Sequence, residues 1–312
     1  MSKMNQKISV VVPSYNEAEN IQNLHKRLKK VLNKIKCSYE ILFVNNASSD
    51  NSISIFRQII LNDPHVTLIT LSRNFGYQMA ISAGLDNSKG DAVVVIDGDL
   101  QDPPELIEKF FKKWIEGYDV VYGIRSKRKG NLFRRISYKI FYRILKKVSY
   151  IDMPLDASEF ALIDKKVLQE LQKLPERNRF TRGLRAWLGF KQTGIEYTRD
   201  DRIAGTSQFN LGANIKLGFD GIFSFSEAPL HLITLVGFTI FIVSILGIVG
   251  YGLYYLFAGR VVPGFLSTVI ILLFLGGIQL LSISVIGQYI GRIFEEVKCR
   301  PKYIIQEIIR KS

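Results

Sequence analysis

Val93-Val94-Val95-Ile96-Asp97-Gly98-Asp99-Leu100-Gln101-Asp102-Pro103-Pro104 is the stretch that decides how this chain folds. A run of β-branched apolar residues stops at two carboxylates one residue apart, and Pro-Pro then opens a helix. Such a run has the composition of a buried parallel strand, apolar on both faces. Asp97 and Asp99 then fall at the carboxyl end of a central strand, where open α/β sheets bind ligands. Side chains alternate along an extended strand, so a spacing of two aims both carboxylates the same way. Like charges held together need a positive partner. A hard divalent cation shared with phosphates supplies one, because Mg²⁺ and Mn²⁺ prefer carboxylate oxygens. The stretch equally fits an Asx-type turn bearing two solvated acids, and the rest of the chain has to decide.

Working outward, Ile8 to Val12 reads as a strand closed by Pro13-Ser14-Tyr15-Asn16-Glu17. Asn16 and Glu19 are spaced as a capping box for a helix running to Ile35. Tyr39 to Val44 is a second strand, and Asn45-Asn46-Ala47-Ser48-Ser49-Asp50 suits a turn leading into a helix through Ile60. Val66 to Leu71 is a third, followed by Ser72-Arg73-Asn74-Phe75-Gly76-Tyr77 and a helix to Asp86. The quoted stretch is the fourth strand, Pro103 to Glu116 its helix, and Val120 to Tyr122 a fifth strand. This alternation predicts an α/β domain with a doubly wound, mostly parallel sheet. Neither G-x-G-x-x-G after the first strand nor a P-loop occurs, which argues against those phosphate loops. Polar residues instead collect at successive strand ends: Glu17, Asn45, Asn46, Arg73, Asp97 and Asp99. Together they outline one crevice for a nucleotide-type ligand.

The 312 residues carry a formal net charge of +14, which points to an anionic partner. Leu232 to Ala258 holds no charged residue, and neither does Val261 to Gly291. Each run exceeds the roughly 20 apolar residues that cross a bilayer, and only Gly259-Arg260 separates them. The pattern predicts a transmembrane hairpin over 230–291. Lys216 precedes it and Arg292, Lys298, Arg300 and Lys302 follow, so both ends are expected in the cytoplasm. No signal-peptide core follows Met1, and Cys37 and Cys299 match no metal spacing, as suits a reducing compartment. Gly237, Gly247, Gly250, Gly276 and Gly277 could pack helices within one chain or in a homo-oligomer.

Between Arg125 and Tyr150 lie Arg125, Lys127, Arg128, Lys129, Arg134, Arg135, Lys139, Arg143, Lys146 and Lys147, with no acid. Phe133, Ile136, Ile140, Phe141, Ile144, Leu145 and Val148 fall on one helical face. Beside a membrane hairpin, this pattern reads as an interfacial helix within 131–150. Basic residues gather near the membrane segments rather than with base-stacking aromatics, so no nucleic acid is expected as partner. Boundaries follow as 1–206 for the catalytic domain, 207–229 for a juxtamembrane segment, 230–291 for the spans and 292–312 for a cytosolic tail.

The motifs Val11-Val12-Pro13-Ser14-Tyr15-Asn16-Glu17, Leu71-Ser72-Arg73-Asn74-Phe75-Gly76 and Asp97-Gly98-Asp99-Leu100-Gln101-Asp102-Pro103-Pro104-Glu105 resemble those of family 2 glycosyltransferases of the polyprenyl-phosphate type. Arg202-Ile203-Ala204-Gly205-Thr206-Ser207 and Gly287-Gln288-Tyr289-Ile290-Gly291-Arg292-Ile293 extend the resemblance along essentially the whole chain. It implies a GT-A fold, a nucleotide-sugar donor, Mg²⁺ or Mn²⁺, and inverting transfer to a polyprenyl phosphate at the cytoplasmic face of a bacterial plasma membrane. UDP-glucose or a related UDP-hexose is the expected donor. Carried over, Pro13, Tyr15, Glu17, Asn45, Asn46, Arg73, Asp97, Gly98 and Asp99 hold the donor, with the metal on Asp97, Asp99 and Gln101. Arg125, Arg128, Arg134, Arg202 and Ser207 meet phosphates of acceptor or donor, while Asp156 and Asp99 serve catalysis, Asp156 as base or orienting group.

This chain departs from the family pattern at Asn45-Asn46, where two acids are usual, and at Tyr77, where histidine is. Glu159 replaces an aspartate and Gln208 a lysine. Two rivals remain: a processive polysaccharide synthase, which lacks support because no Q-x-x-R-W occurs, and a membrane-anchored binding protein without turnover.

Overall fold

The computed structural model describes residues 6–125, 157–177, 179–199, 228–258 and 264–311. Strands β1 (Lys7–Ser14), β2 (Ser38–Asn45), β3 (Val66–Leu71) and β4 (Ala92–Val95) alternate with helices α1 (Ala18–Ile35), α2 (Ser52–Asn62) and α3 (Tyr77–Asn87). Helix α4 (Leu106–Ile115) leads to β5 (Val120–Arg125). Then come β6 (Ala157–Asp164), α5 (Lys165–Lys173), α6 (Thr181–Trp187) and β7 (Gln192–Tyr197). Two long helices follow, α7 (Ala228–Ala258) and α8 (Phe265–Val297), and a last strand, β8 (Ile305–Arg310).

One sheet collects all eight strands in the order β7-β5-β6-β4-β1-β2-β3-β8. β1 pairs in parallel with β2 and β4, as do β2 with β3 and β5 with β7; β6 and β8 run antiparallel to their neighbours. The mostly parallel α/β reading holds, and its cause is visible in the valine run. Val94 and Ile96 join Val10, Val12 and Phe43 on the face covered by Leu24, Phe56, Phe110 and Trp114 of α1, α2 and α4. Val93 and Val95 join Val11, Leu42 and Ile69 on the opposite face, with Ile81 of α3 and Leu168 of α5. Each such side chain contributes about 1.5–3 kcal/mol on burial, so both faces of β4 have to be apolar. The fifth strand is longer than its pattern suggested and carries Arg125 at its end.

The capping box expected from Asn16 and Glu19 does not form. Asn16 adopts φ 55, and its Oδ1 accepts from the Ser49 N–H at 2.8 Å. Glu17 takes the cap position, and its carboxylate accepts from Asn20 Nδ2 at 2.6 Å. Asn16 thus ties the β1 loop to the β2 loop instead of starting a helix.

Helix α3 lies very close to β1. A Cβ on Gly84 would fall 2.2 Å from Val11 Cγ1 and 3.1 Å from Val44 Cγ2. Val11 is fully buried and has no room to move away. Overpacking costs about 1–3 kcal/mol, more than the ~1 kcal/mol that alanine gains over glycine in a helix. Gly84→Ala is therefore expected to destabilise the protein by about 1–2 kcal/mol, read as a lower thermal midpoint in detergent.

β8 lies inside the stretch assigned to the tail, where the sequence reading placed no element. It extends the sheet beside β3, with Thr67 opposite Arg310 and Ile69 opposite Ile308. The link from α8 to β8 is also fastened to the domain. The Arg177 N–H donates to Glu296 Oε1 at 2.8 Å, Lys302 Nζ to the Leu174 carbonyl at 2.9 Å, and the Tyr303 hydroxyl to Asp86 Oδ2 at 2.9 Å. Phe274–Val297 is the one helical stretch among the described residues that is long and apolar enough to cross a membrane; Leu232–Gly247 is a shorter apolar one. Leu235, Phe238, Leu256 and Leu280 of these helices are exposed. The basic stretch within 131–150, the 259–263 connection and nearly all of 207–229 lie outside the described residues.

Candidate active site

β4 ends at Val95 and the chain turns at once. Asp97 and Asp99 therefore converge through a turn, not through the strand alternation that their spacing suggested. The turn is held by a conformation that costs energy: buried Leu100 sits at φ 59, a region costing a side chain of this kind about 1–2 kcal/mol. The Gln101 N–H donates to Asp99 Oδ1 at 3.2 Å, closing the turn on itself. Gly98 fits where a larger residue would press on β1. A Cβ there would lie 3.3 Å from the Pro13 carbonyl oxygen and from Ser14 Oγ, and 3.7 Å from Glu17 Cγ. This packing puts Pro13 and Glu17 beside the acidic turn.

Three carboxylates share the crevice with two guanidinium groups. Arg199, two residues beyond β7, has Nη2 at 3.4 Å from Asp99 Oδ2 and 3.8 Å from Asp97 Oδ2. Its Nε lies 3.5 Å from Asp102 Oδ1. Arg125, at the end of β5, reaches Asp102 Oδ2 at 3.6 Å and donates from Nε to the Tyr197 hydroxyl at 3.3 Å. Tyr197 donates its own hydroxyl to Asp102, which is completely buried. Tyr77, the first residue of α3, donates to Asp97.

Burial and then the negative charges of Asp102 and Asp99 push the Asp97 carboxyl up to about 7, against the Tyr77 hydrogen bond and Arg125. Burial and the Asp97 charge hold the Tyr77 phenol far above its usual range, so it stays a donor. Arg125 is raised despite burial, because Asp102, Tyr197 and Asp97 favour its charged form. Among the described residues three carboxylates thus face two guanidinium groups, an excess of negative charge that a bound cation would relieve.

Other expected donor-site residues are placed as follows. Asn46 bonds inside the protein at both ends of its amide: Nδ2 donates to Asn74 Oδ1 at 2.9 Å, and Oδ1 accepts from the Phe75 N–H at 3.0 Å. Aspartate could not make both bonds, so the amide at this departure staples the β2 and β3 loops together. Asn45 is buried, its Oδ1 accepting from the Ser48 N–H and its Nδ2 without a hydrogen-bond partner. Arg73 is exposed and stacks on Phe75, 4.0 Å from the ring centroid. Tyr15 is half-buried in the loop after β1. Asp156, Arg128, Arg134, Arg202 and Ser207 lie outside the described residues. Glu159, on β6, accepts from Gln78 Nε2 at 3.0 Å, and Gln78 Oε1 accepts from the Thr181 hydroxyl at 2.6 Å.

Asp102, Arg199, Tyr77 and Tyr197 join the site in the structure without being site residues on the sequence pattern. Asp102 lies inside the quoted stretch and Arg199 three residues before the Arg202-to-Ser207 motif; only the fold brings the ends of β4 and β7 together.

Among the described residues no group of three or more His, Cys, Asp or Glu side chains is arranged to hold a metal ion. The donor set still fits Mg²⁺ or Mn²⁺. These ions commonly take one or two carboxylates and complete their shell with substrate phosphates and water, not with an all-protein cage. Asp97 and Asp99 supply that pair, and both already face one positive group, the Arg199 guanidinium.

An α/β sheet that gathers acids and arginines in a crevice at its strand ends has the form of a ligand-binding protein of the open α/β class. The family model of Glycosyl transferase family 2 matches residues 9–172, and the chain belongs to that family. The "Uncharacterized glycosyltransferase YkcC" of Bacillus subtilis (strain 168) is 47% identical over 300 residues, 96% of this chain and 93% of its own. The "SfII prophage-derived bactoprenol glucosyl transferase" of Shigella flexneri is 40% identical over 307 residues, 96% of this chain and 98% of its own. A solved structure of glucosyl-3-phosphoglycerate synthase from Mycobacterium tuberculosis, in complex with Mn²⁺, UDP and phosphoglyceric acid, aligns at TM-score 0.46 and 19% identity over 70% of this chain and 76% of that one.

Proposed function

We propose that this protein transfers a hexose, glucose foremost, from its UDP derivative to a polyprenyl phosphate, with inversion, at the cytoplasmic face of the membrane. The observation that carries the proposal is the Asp97–Asp99 pair at the sheet edge, facing Arg199, in a chain 40% identical along its length to a bactoprenol glucosyl transferase. When bound at that pair, Mg²⁺ or Mn²⁺ neutralises charge on the leaving nucleoside diphosphate. Pro13, Glu17 and Gly98 shape the floor against which the donor lies. Arg125 and Arg199 add positive charge beside the diphosphate, and Asp102 keeps both guanidinium groups in place. The acceptor oxygen needs little base assistance, because a phosphate monoester is mostly dianionic above its second pKa of roughly 6. Asp156, next to β6 in sequence, has the task of orienting that acceptor.

A lipid acceptor places the reaction at a membrane surface, and β8 bears on the topology. Because residues before α7 and after α8 join one sheet, any crossings between them must be even in number. That supports a two-span hairpin, with the basic flanks favouring the cytoplasmic side.

The test incubates the detergent-solubilised protein with polyprenyl phosphate and a panel of UDP- and GDP-sugars, with Mg²⁺, Mn²⁺ or EDTA. A single lipid-linked monosaccharide that disappears with EDTA is expected. A polymer, or turnover indifferent to EDTA, would overturn the proposal.

A further inference from the structure

Arg199 stands where two carboxylates look for a cation. Its Nη2 faces both Asp97 Oδ2 and Asp99 Oδ2, and its Nε faces Asp102 Oδ1, so one guanidinium group serves three acids. The arrangement is held by charge more than by hydrogen-bond geometry. The bond to Asp99 is 3.4 Å long, beyond the usual 2.7–3.2 Å, and the buried Nε has no hydrogen-bond partner. Arginine normally forks onto a planar oxyanion with two short parallel bonds, and Arg199 gives none of these three acids such a fork. A nucleoside diphosphate offers phosphate oxygens that suit it better.

We infer that Arg199 is a resident counter-ion of the Asp97–Asp99 pair, which a divalent cation displaces and which then passes to the donor diphosphate. The inference rests on the metal-and-diphosphate reading above and adds a consequence. Metal alone meets a like charge at the two carboxylates, so it binds weakly. Metal with the diphosphate binds tightly, because the displaced guanidinium gains a partner. Cation and nucleotide are thereby coupled through one side chain, and linkage makes the coupling reciprocal. Arg199 acts here as a positioning residue. Its place after β7 suits a change of partner, since its side chain is 29% exposed while Asp102 beneath it is wholly buried.

The experiment measures Mn²⁺ binding to the full-length protein in detergent at low ionic strength, from the EPR signal of free Mn²⁺, with and without saturating UDP. Wild type is expected to bind Mn²⁺ about tenfold tighter with UDP than without, a coupling of the usual size. Arg199→Ala is expected to bind Mn²⁺ about tenfold tighter than wild type in the absence of UDP and to lose most of the UDP-linked gain. Arg199→Lys keeps the charge without the fork. It should match wild type for Mn²⁺ alone while losing part of the gain, which keeps the test decisive if the alanine variant fails to fold. Mn²⁺ binding in wild type with an unchanged or weaker affinity in Arg199→Ala, or a full UDP-linked gain in Arg199→Lys, overturns the inference and leaves the proposed function standing. No Mn²⁺ binding to any of the three proteins, with or without UDP, overturns both.

Discussion

Asp99→Ala is expected to reduce sugar transfer by about 10³-fold or more while leaving the protein folded. A Lewis acid on the leaving diphosphate is worth several kcal/mol, and each 1.36 kcal/mol is tenfold in rate. Asp99 faces the crevice, nearly buried, and shares Arg199 with Asp97. Its removal takes one negative charge from a crowded set of three, so the fold loses little. The Gln101 N–H loses its acceptor, a cost of about 1–3 kcal/mol if that group stays dry. The measurement is lipid-linked sugar formed per unit time, with a thermal midpoint taken on the same preparation. Asp156→Asn provides the contrast: its rate should fall while donor binding survives. Full activity in Asp99→Ala would sink the metal assignment.

The catalytic sheet was legible because its strands are apolar on both faces and its loops are polar, patterns that depend on neighbours in sequence. Val93 to Ile96 could be assigned before any fold was known. The site was legible in part, and the missing part has one cause. Asp102 and Arg199 are far apart in the chain, and only the pairing of β5 with β6 and β7 carries Arg125, Tyr197 and Arg199 to the edge where β4 ends. Tyr77 stands in the sequence where histidine is usual, but its partner Asp97 belongs to a different strand end. The convergence of Asp97 with Asp99 was expected for the wrong reason, since a spacing of two fits a turn as well as a strand. β8 has no clear sequence signature because Ile305, Ile308 and Ile309 do not alternate cleanly; the strand is an edge with one neighbour, and its register with β3 shifts between Thr70 and Leu71. Local pattern names an element, whereas a crevice is a property of topology.

Asp102→Ala should be the most destabilising substitution in the crevice, by about 3–5 kcal/mol, because it breaks a buried ion-pair network from its centre. Asp102 is fully buried, accepts the Tyr197 hydroxyl, and lies within 3.6 Å of Arg125 and 3.5 Å of Arg199. Truncation strips two partly buried guanidinium groups of a shared counter-charge and leaves the Tyr197 hydroxyl without its acceptor. Burial, the largest of the causes that raise the Tyr197 phenol, outlasts the substitution, so the hydroxyl stays protonated near neutral pH. For a domain of 150–250 residues each kcal/mol moves the midpoint by roughly 2–4 °C, so a loss of about 10 °C is expected in a thermal melt. Asp102→Asn separates charge from shape. The amide oxygen can still accept from Tyr197, so about half of the loss should return, while Arg125 loses its anion and Arg199 keeps only Asp97 and Asp99. Equal midpoints for Asp102→Ala and wild type would mean that Arg125 and Arg199 find solvent or each other's neighbours at no cost. The three-acid, two-arginine network would then be an incidental contact, not the frame that holds the crevice open for its ligand.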